Sequence, residues 1–435
     1  MADGLDARRG RLRRRARFAA LIAALGGAAW LALRPPAPPP TEAAAPADAR
    51  AVPAPAEPMA EERPAVTFAA PPVTAAASAP LPGPGEAEIC GLGVVKVDER
   101  DPNGLKQVPR ASRDAAYARL QSVMQASPDE RVRAAALLLE TRWLAAQAAQ
   151  TLAASTPDCA ASDAACRREA RRAARAAGAL AAAPATDALA QRAAGSSDPE
   201  VYAFAVEACA RDETLLHAAP WCQQISVEQW ARLEPDNAVP WLEAAAAARR
   251  RGDAAAESEA IYRASLASRS DAHRAASARM AAEMMPSDAP EAGRGAVIVE
   301  LAAAPAPIGW RGLDAANRHC TADALRDANR QQSCDALANA LAARGSTLRE
   351  AAVTRRLGER LGWPGERLQG LRDEQRALSA ATSRYFSEFG RLSCAGMERR
   401  MAWLAMVAAQ GEIGAARELL DRFGAPPAAA SASAR

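Results

Sequence analysis

Beyond residue 110 the apolar positions fall into stripes of helical spacing, broken by turn residues. Met397, Met401, Leu404 and Val407 make one stripe, and after Gly411 the residues Ile413, Ala416, Leu420 and Phe423 make another. Between Pro235 and Leu266 the segment "PDNAVPWLEAAAAARRRGDAAAESEAIYRASL" reads as two short helices around a Gly252-Asp253 turn. Ser226 with Gln229, and Thr347 with Glu350, have the spacing of capping boxes ahead of further helices. Tracts such as "AAALLLETRWLAAQAAQTLAAS" are mostly alanine, the residue that enters a helix at least entropic cost. They lack the β-branched bulk that packs a pleated surface. The expected fold class is all-α, built of antiparallel helix hairpins from about Ser112 to Gly424.

The Pro235–Leu266 segment resembles a tetratricopeptide repeat, a helix pair of about 34 residues. Pro235 stands at the inter-repeat turn, Trp241 at the first-helix aromatic, Gly252 at the turn, and Ile261 and Ala264 at the packing positions of the second helix. Glu257 departs from the pattern, since the family carries a small residue there. Weaker echoes start at Ser127 and Ser196, each a polar cap and a Pro ahead of Val132 or Val201. The resemblance implies a stacked superhelix with a concave face for extended peptide; an irregular helical bundle is the alternative.

The N-terminus changes the picture. Seven arginines lie between Arg8 and Arg17, followed by an uncharged apolar run from Phe18 to Leu33. Such a run spans about 24 Å as a helix, slightly short of a ~30 Å hydrocarbon core, and snorkelling by Arg17 and Arg34 with Trp30 at the interface closes the gap. The basic flank sets the tail 1–17 on the cytoplasmic side. Leu, Arg and Pro in "WLALRPPAPPP" spoil a signal-peptidase site, so 18–33 is expected to be an uncleaved single-pass anchor in a bacterial inner membrane. Residues 34–88 are Pro/Ala-rich and read as a disordered, extended linker. The body is expected as two lobes, 89–285 and 286–424, in the periplasm, with a disordered tail at 425–435. The layout resembles that of TonB-like energy transducers, but the anchor has no polar coupling residue and the body is too large and too helical for that family.

All eight cysteines lie beyond the linker, an even count that suits an oxidising compartment. Neighbours in sequence suggest Cys159–Cys166, Cys209–Cys222 and Cys320–Cys334, leaving Cys90–Cys394 to close a long loop worth roughly 4–5 kcal/mol in the chain-entropy model. The 159–166 bridge needs a turn between its ends, which Pro157 and Ser162, a candidate cap, would supply.

Net charge is +3 with the two signs interspersed, which is not the footprint of a nucleic-acid binder. Among the bases only Lys96 and Lys106 are lysine. No phosphate loop, dinucleotide fingerprint, GxSxG or HExxH is present. His217, His273 and His319 have no helical two-His spacing and read as solvated or capping residues, and the His319-Cys320 pair is isolated. No catalytic, cofactor or metal residue is therefore expected. The expected function is a membrane-anchored scaffold that binds an envelope protein or peptide. The alternatives are a glycan-cleaving enzyme, for which Ser387-Glu388 is the nearest approach to a motif, and a spacer without a ligand.

Overall fold

The structure is a computed structural model that describes residues 83–423 except 84, 98–100, 102–103, 156–158, 160–162, 211–217, 304–308 and 388–391. The expected anchor at 18–33, nearly all of the linker at 34–88, His217, Glu388 and the tail at 425–435 lie outside the described residues. No helix among the described residues is long and apolar enough to cross a membrane.

The body is all-helical but for one hairpin. Strands β1 (Glu86–Ile89) and β2 (Gly93–Lys96) pair antiparallel, with Glu86 opposite Lys96 and Ile89 opposite Gly93. The all-α expectation holds for the body, to which this hairpin of two four-residue strands is a small addition. Its turn is made by Gly91 and Gly93, both at positive φ, and Ile89 seals its buried face against Val108, Ala296 and Leu392. The helices are α1 (Arg110–Gln125), α2 (Glu130–Ser155), α3 (Ala164–Ala194), α4 (Pro199–Cys209), α5 (Val227–Leu233), α6 (Ala238–Arg251) and α7 (Ala254–Leu266). There follow α8 (Arg274–Met284), α9 (Glu291–Ala303), α10 (Trp310–His319), α11 (Ala328–Arg344), α12 (Leu348–Leu361), α13 (Gly365–Ser387) and α14 (Cys394–Phe423).

Two apolar clusters make the core. The first gathers α1, α2, α4, α8 and α9 around Leu120, Leu138, Phe204, Trp230 and Val297, with Leu404 of α14. The second gathers α6, α7, α10, α11 and α12 around Leu242, Ile261, Leu313, Leu337 and Leu357. Helix α6 contributes Val239 to the first cluster and Leu242 to the second, and α9 contributes Val297, Ile298 and Leu301 to the first. The hairpin read from Pro235–Leu266 is present as α6 and α7, with Gly252 in the left-handed region at φ 73° ending α6 and Asp253 capping α7. Ile261 and Ala264 are fully buried between the helices, and Trp241 is half-buried, its indole N–H donating to Pro235 O at 3.0 Å. Sequential stacking breaks after α7. The next helices α8 and α9 pack on α14, α2 and α1, and only with α10 and α11 does the chain return to α6 and α7.

Helix starts follow the caps with one change. Thr347 and Glu350 form a full capping box, and Ser226 accepts from Gln229 N. The cap of α3 is Asp163, which accepts from Ala165 N and Cys166 N; Ser162, the expected cap, lies outside the described residues. The two C-terminal stripes lie on two arms of a hairpin, as expected: Gly411, at φ 76° and ψ 170°, breaks α14 into two helical arms, Trp403 and Phe423 both stand against the Tyr385 ring at 6.5 and 6.2 Å between ring centres, and Ile413 N donates to Ser346 O at 2.9 Å. Leu404, Ile413 and Ala416 are buried there, whereas Met401 and Phe423 are exposed.

The four expected cysteine pairs stand at bonding distance, with Cα–Cα separations of 4.7 Å (Cys90–Cys394), 5.8 Å (Cys159–Cys166), 5.4 Å (Cys209–Cys222) and 5.9 Å (Cys320–Cys334). Cys90–Cys394 ties the β-hairpin to α14, and Cys90 N also donates to Leu392 O at 2.8 Å. Replacing Cys394 by Ser is expected to lower unfolding stability by about 2–5 kcal/mol in denaturant titration, and breaking the short Cys159–Cys166 loop by less.

Candidate functional site

The site begins in a buried polar knot. Glu234 ends α5, and its carboxylate accepts from Trp230 Nε1 at 2.7 Å, Asn237 Nδ2 at 3.1 Å, His273 Nε2 at 3.0 Å and the Arg269 guanidinium. Asn237 is fully buried; it donates to Asp271 O at 2.7 Å and accepts from Val239 N at 3.2 Å and Asp271 N at 2.9 Å. Asn237 also bridges Arg269 in parallel β fashion, so the knot joins the entry of α6 to the exit of α7 and the start of α8. His273 is the one non-glycine residue at positive φ among the described residues (52°), a conformation retained because its ring is held by Glu234.

Burial alone would raise the Glu234 carboxyl, but the hydrogen bonds and charges of His273 and Arg269 outweigh it and hold it down at about 2. Burial alone would lower His273, and the Glu234 hydrogen bond with the Asp271, Glu234 and Glu200 charges outweighs it, so the imidazole is raised above its ordinary value. His319 behaves oppositely: burial, then the Arg330 charge, lowers it although Glu257 Oε1 lies 3.3 Å from its Nδ1. Neither histidine is solvated: His273 stands at the N-cap of α8 with its ring held by Glu234, and His319 is buried against Glu257. Glu257, the misfit in the repeat pattern, is buried and bonded to Arg249 Nη1 at 3.1 Å as well as to His319. Its carboxylate fills the place of a small residue by pairing with one cation, Arg249, and standing against the buried imidazole of His319.

From this knot three helix starts converge on a cleft of about 280 Å3: α8 through Arg274, α10 through Gly309 and Trp310, and α12 through Thr347, Leu348 and Arg349. Val239 and Leu242 of α6 line it with Leu313, and Ser346 with Glu412 line it beside the Gly411 kink. Each start has at least one backbone N–H taken by a carboxylate. Glu243 Oε1 accepts from Gly309 N at 2.8 Å and Gly312 N at 3.1 Å. Burial raises Glu243 although these two N–H bonds pull it down. Glu350 accepts from Ser346 N and Thr347 N at 2.8 Å and from the Ser270 hydroxyl, and Glu412 accepts from Leu348 N at 3.1 Å. His273 N donates to Asp271 at 2.8 Å.

What remains available at the mouth is cationic and aromatic. Trp310 is 41% exposed, with the Arg349 guanidinium 4.3 Å and the Arg274 guanidinium 5.9 Å from its ring centre. Neither arginine has a hydrogen bond or ion pair among the described residues, whereas Arg263, Arg279, Arg318 and Arg355 are each paired with an acid four residues away. The arrangement can hold a carboxylate or phosphate bidentately and lay an apolar group on the indole. Both carboxylates among the described lining residues, Glu350 and Glu412, accept from helix-start N–H groups. Elsewhere Glu291 Oε1 lies 3.3 Å from Cys90 Sγ, beside Cys394, but both sulfurs are bonded and neither offers a thiolate to an ion.

None of the repeat-packing residues Trp241, Gly252, Ile261 and Ala264 lines this cleft: Ile261 and Ala264 are buried in the second cluster, Trp241 packs against it, and Gly252 ends α6 at an exposed turn; none of the disulfides lines the cleft either. Sequence reasoning missed Arg274, Trp310 and Arg349. The available signal was a lone Trp immediately after a Pro/Gly break, "PAPIGW", and an Arg just inside the capping box at Thr347.

Two substitutions probe the frame. A Cβ on Gly312 would stand 2.7 Å from Leu242, so Gly312→Ala is expected to push α10 off α6, costing about 1–3 kcal/mol and speeding hydrogen exchange through 310–319. The stabilisation from His273 is full below the ordinary imidazole value and lost as pH rises through the raised one; that from Glu234 is lost as pH falls from the ordinary carboxylate range toward about 2. His273→Gln is therefore expected to cost about 1–3 kcal/mol near pH 6, with the gap to the parent narrowing at alkaline pH in denaturant titrations. Comparison with protein families, with curated proteins and with solved structures returns no match, so the reading of the cleft rests on its own chemistry.

Proposed function

We propose that the protein is a membrane-anchored periplasmic scaffold whose helical body binds an acidic segment of another envelope protein in the Trp310 cleft. The observation that carries this reading is the pair of acid-free guanidiniums, Arg274 and Arg349, on one exposed indole at the mouth of an enclosed cleft. Carboxylates of the bound segment pair with the arginines and its apolar neighbours cover the ring. In this reading α6 and α7 are a degenerate tetratricopeptide-like pair that serves as one wall, and the anchor at 18–33 with the linker at 34–88 holds the body outside the cytosol. The oxidised state of the cysteine pairs suits that compartment. The commitment of Glu243, Glu350 and Glu412 to helix starts weighs against a glycan-cleaving reaction in the same cleft.

Crosslinking of the full chain in its native membrane, read by mass spectrometry, tests the proposal. An envelope protein should crosslink through an acidic segment to residues around 274, 310 and 349. In Arg274→Glu/Arg349→Glu that capture should fall at least about tenfold, the loss expected for two charge-assisted contacts. An unchanged crosslink pattern in the double variant would overturn the reading.

A further inference from the structure

The longest helices form a hairpin whose outer half stands clear of the core. No residue of α2 from 144 to 155, and none of α3 from 164 to 177, is buried, whereas the inner halves supply Leu138, Leu139 and Leu189 to the interior. The Cys159–Cys166 bridge and the Asp163 cap close its far end. On the outer half of α3 lie Arg167, Arg168, Arg171, Arg172 and Arg175, all exposed, with Glu169 as the single acid among them. At ~100° per residue the five arginines fall in one sector of about 140°, and Glu169 points outside it. None of the five has a hydrogen bond, ion pair or ring contact among the described residues, unlike Arg131 with Asp198, Arg417 with Glu374 or Arg422 with Glu418.

Five like charges on one helix face repel one another, and no acid among the described residues pairs with them. The face is convex and rod-like, about 12 Å long, and no aromatic or large aliphatic side chain stands inside the sector. A protein interface is organised around buried aromatic or aliphatic anchors, which this face lacks. Flexible guanidiniums without an anchor suit a surface of many equivalent, laterally mobile phosphates. We infer that the arginine face of α3 docks on an anionic phospholipid surface, steadying the body against the bilayer through the tip of the α2/α3 hairpin. The inference is independent of the Trp310 cleft, which it does not involve.

Hydrogen exchange of the full-length chain reconstituted into vesicles tests it. Vesicles of phosphatidylcholine alone are compared with vesicles containing roughly one-third phosphatidylglycerol. Exchange through residues 164–176 should slow at least about fivefold in the anionic vesicles and recover at high salt. Arg168→Glu/Arg172→Glu/Arg175→Glu should abolish the slowing, while its thermal unfolding, measured in parallel, stays at the parent's because the side chains are exposed. The matching lysine triple variant should keep most of the slowing, since headgroup attraction needs the charge more than the fork. Equal exchange in the two vesicle types would overturn the inference. So would slowing that appears only when an acidic protein such as polyglutamate is added, which would assign the face to a protein partner.

Discussion

The carboxylate of Glu234 is the constraint on which the arrangement of the body rests. It takes bonds from four side chains lying on α5, the entry of α6, the exit of α7 and the entry of α8. A charge so enclosed is costly to desolvate and is tolerated only because every oxygen lone pair has a donor. The geometry is consequently stiff: the start of α8 is locked to the α6/α7 pair, and Arg274, the next residue after His273, is delivered to the cleft. A second enclosed pair, Arg142 with Glu207 at 2.7 Å, joins α2 to α4 and reaches Ser277 of α8 at 3.2 Å. Stiff polar joints and small-residue helices thus share the work that larger aromatic cores do in other proteins.

Alanine-rich helices carry a weakness that these joints answer. Alanine and glycine let backbones approach closely, as where Gly312 lies against Leu242 and Gly178 against the Ala145 carbonyl. Close approach gives many small contacts but little shape to specify which helix sits where. Carboxylates at helix starts supply the missing specificity, since Glu243 fits only the turn at Gly309–Gly312 and Glu412 only the turn at Leu348. Because the acids satisfy the backbone, the arginines beside them are left to face solvent, and the cleft mouth is cationic although the net charge of the whole chain is only +3.

The helical character, the α6/α7 hairpin and the cysteine neighbours were legible because they rest on local chemistry: alanine content, a Gly-Asp turn, short spacings. The β-hairpin escaped because its strands are four residues each and its pairing depends on Ile89 finding Leu392, far away in the chain. The hairpin at Gly411 was legible for the same local reason as α6/α7: a glycine between two apolar stripes marks the reversal, and its positive φ makes it. The cleft was invisible since its residues come from three helix starts whose convergence depends on Glu234 and Asn237. Those two residues lie in a stretch, "LEPDNAV", that reads as an ordinary turn. Glu257 was legible as a misfit, though not that His319 and Arg249 would meet it.

The connectivity of the bridges has a consequence for how the chain matures. Three of them join cysteines consecutive in sequence, separated by 7, 13 and 14 residues, whereas Cys90 must wait for a partner 304 residues later. A chain oxidised from its N-terminus as it emerges would first offer Cys90 the thiol of Cys159, and that error would strand Cys166 in turn. Maturation therefore favours either a Cys90 kept reduced until α14 arrives or thiol–disulfide exchange that undoes the early pairing. The β-hairpin would then be the last piece fastened, and a chain shortened before residue 394 would remain permanently open at that seam.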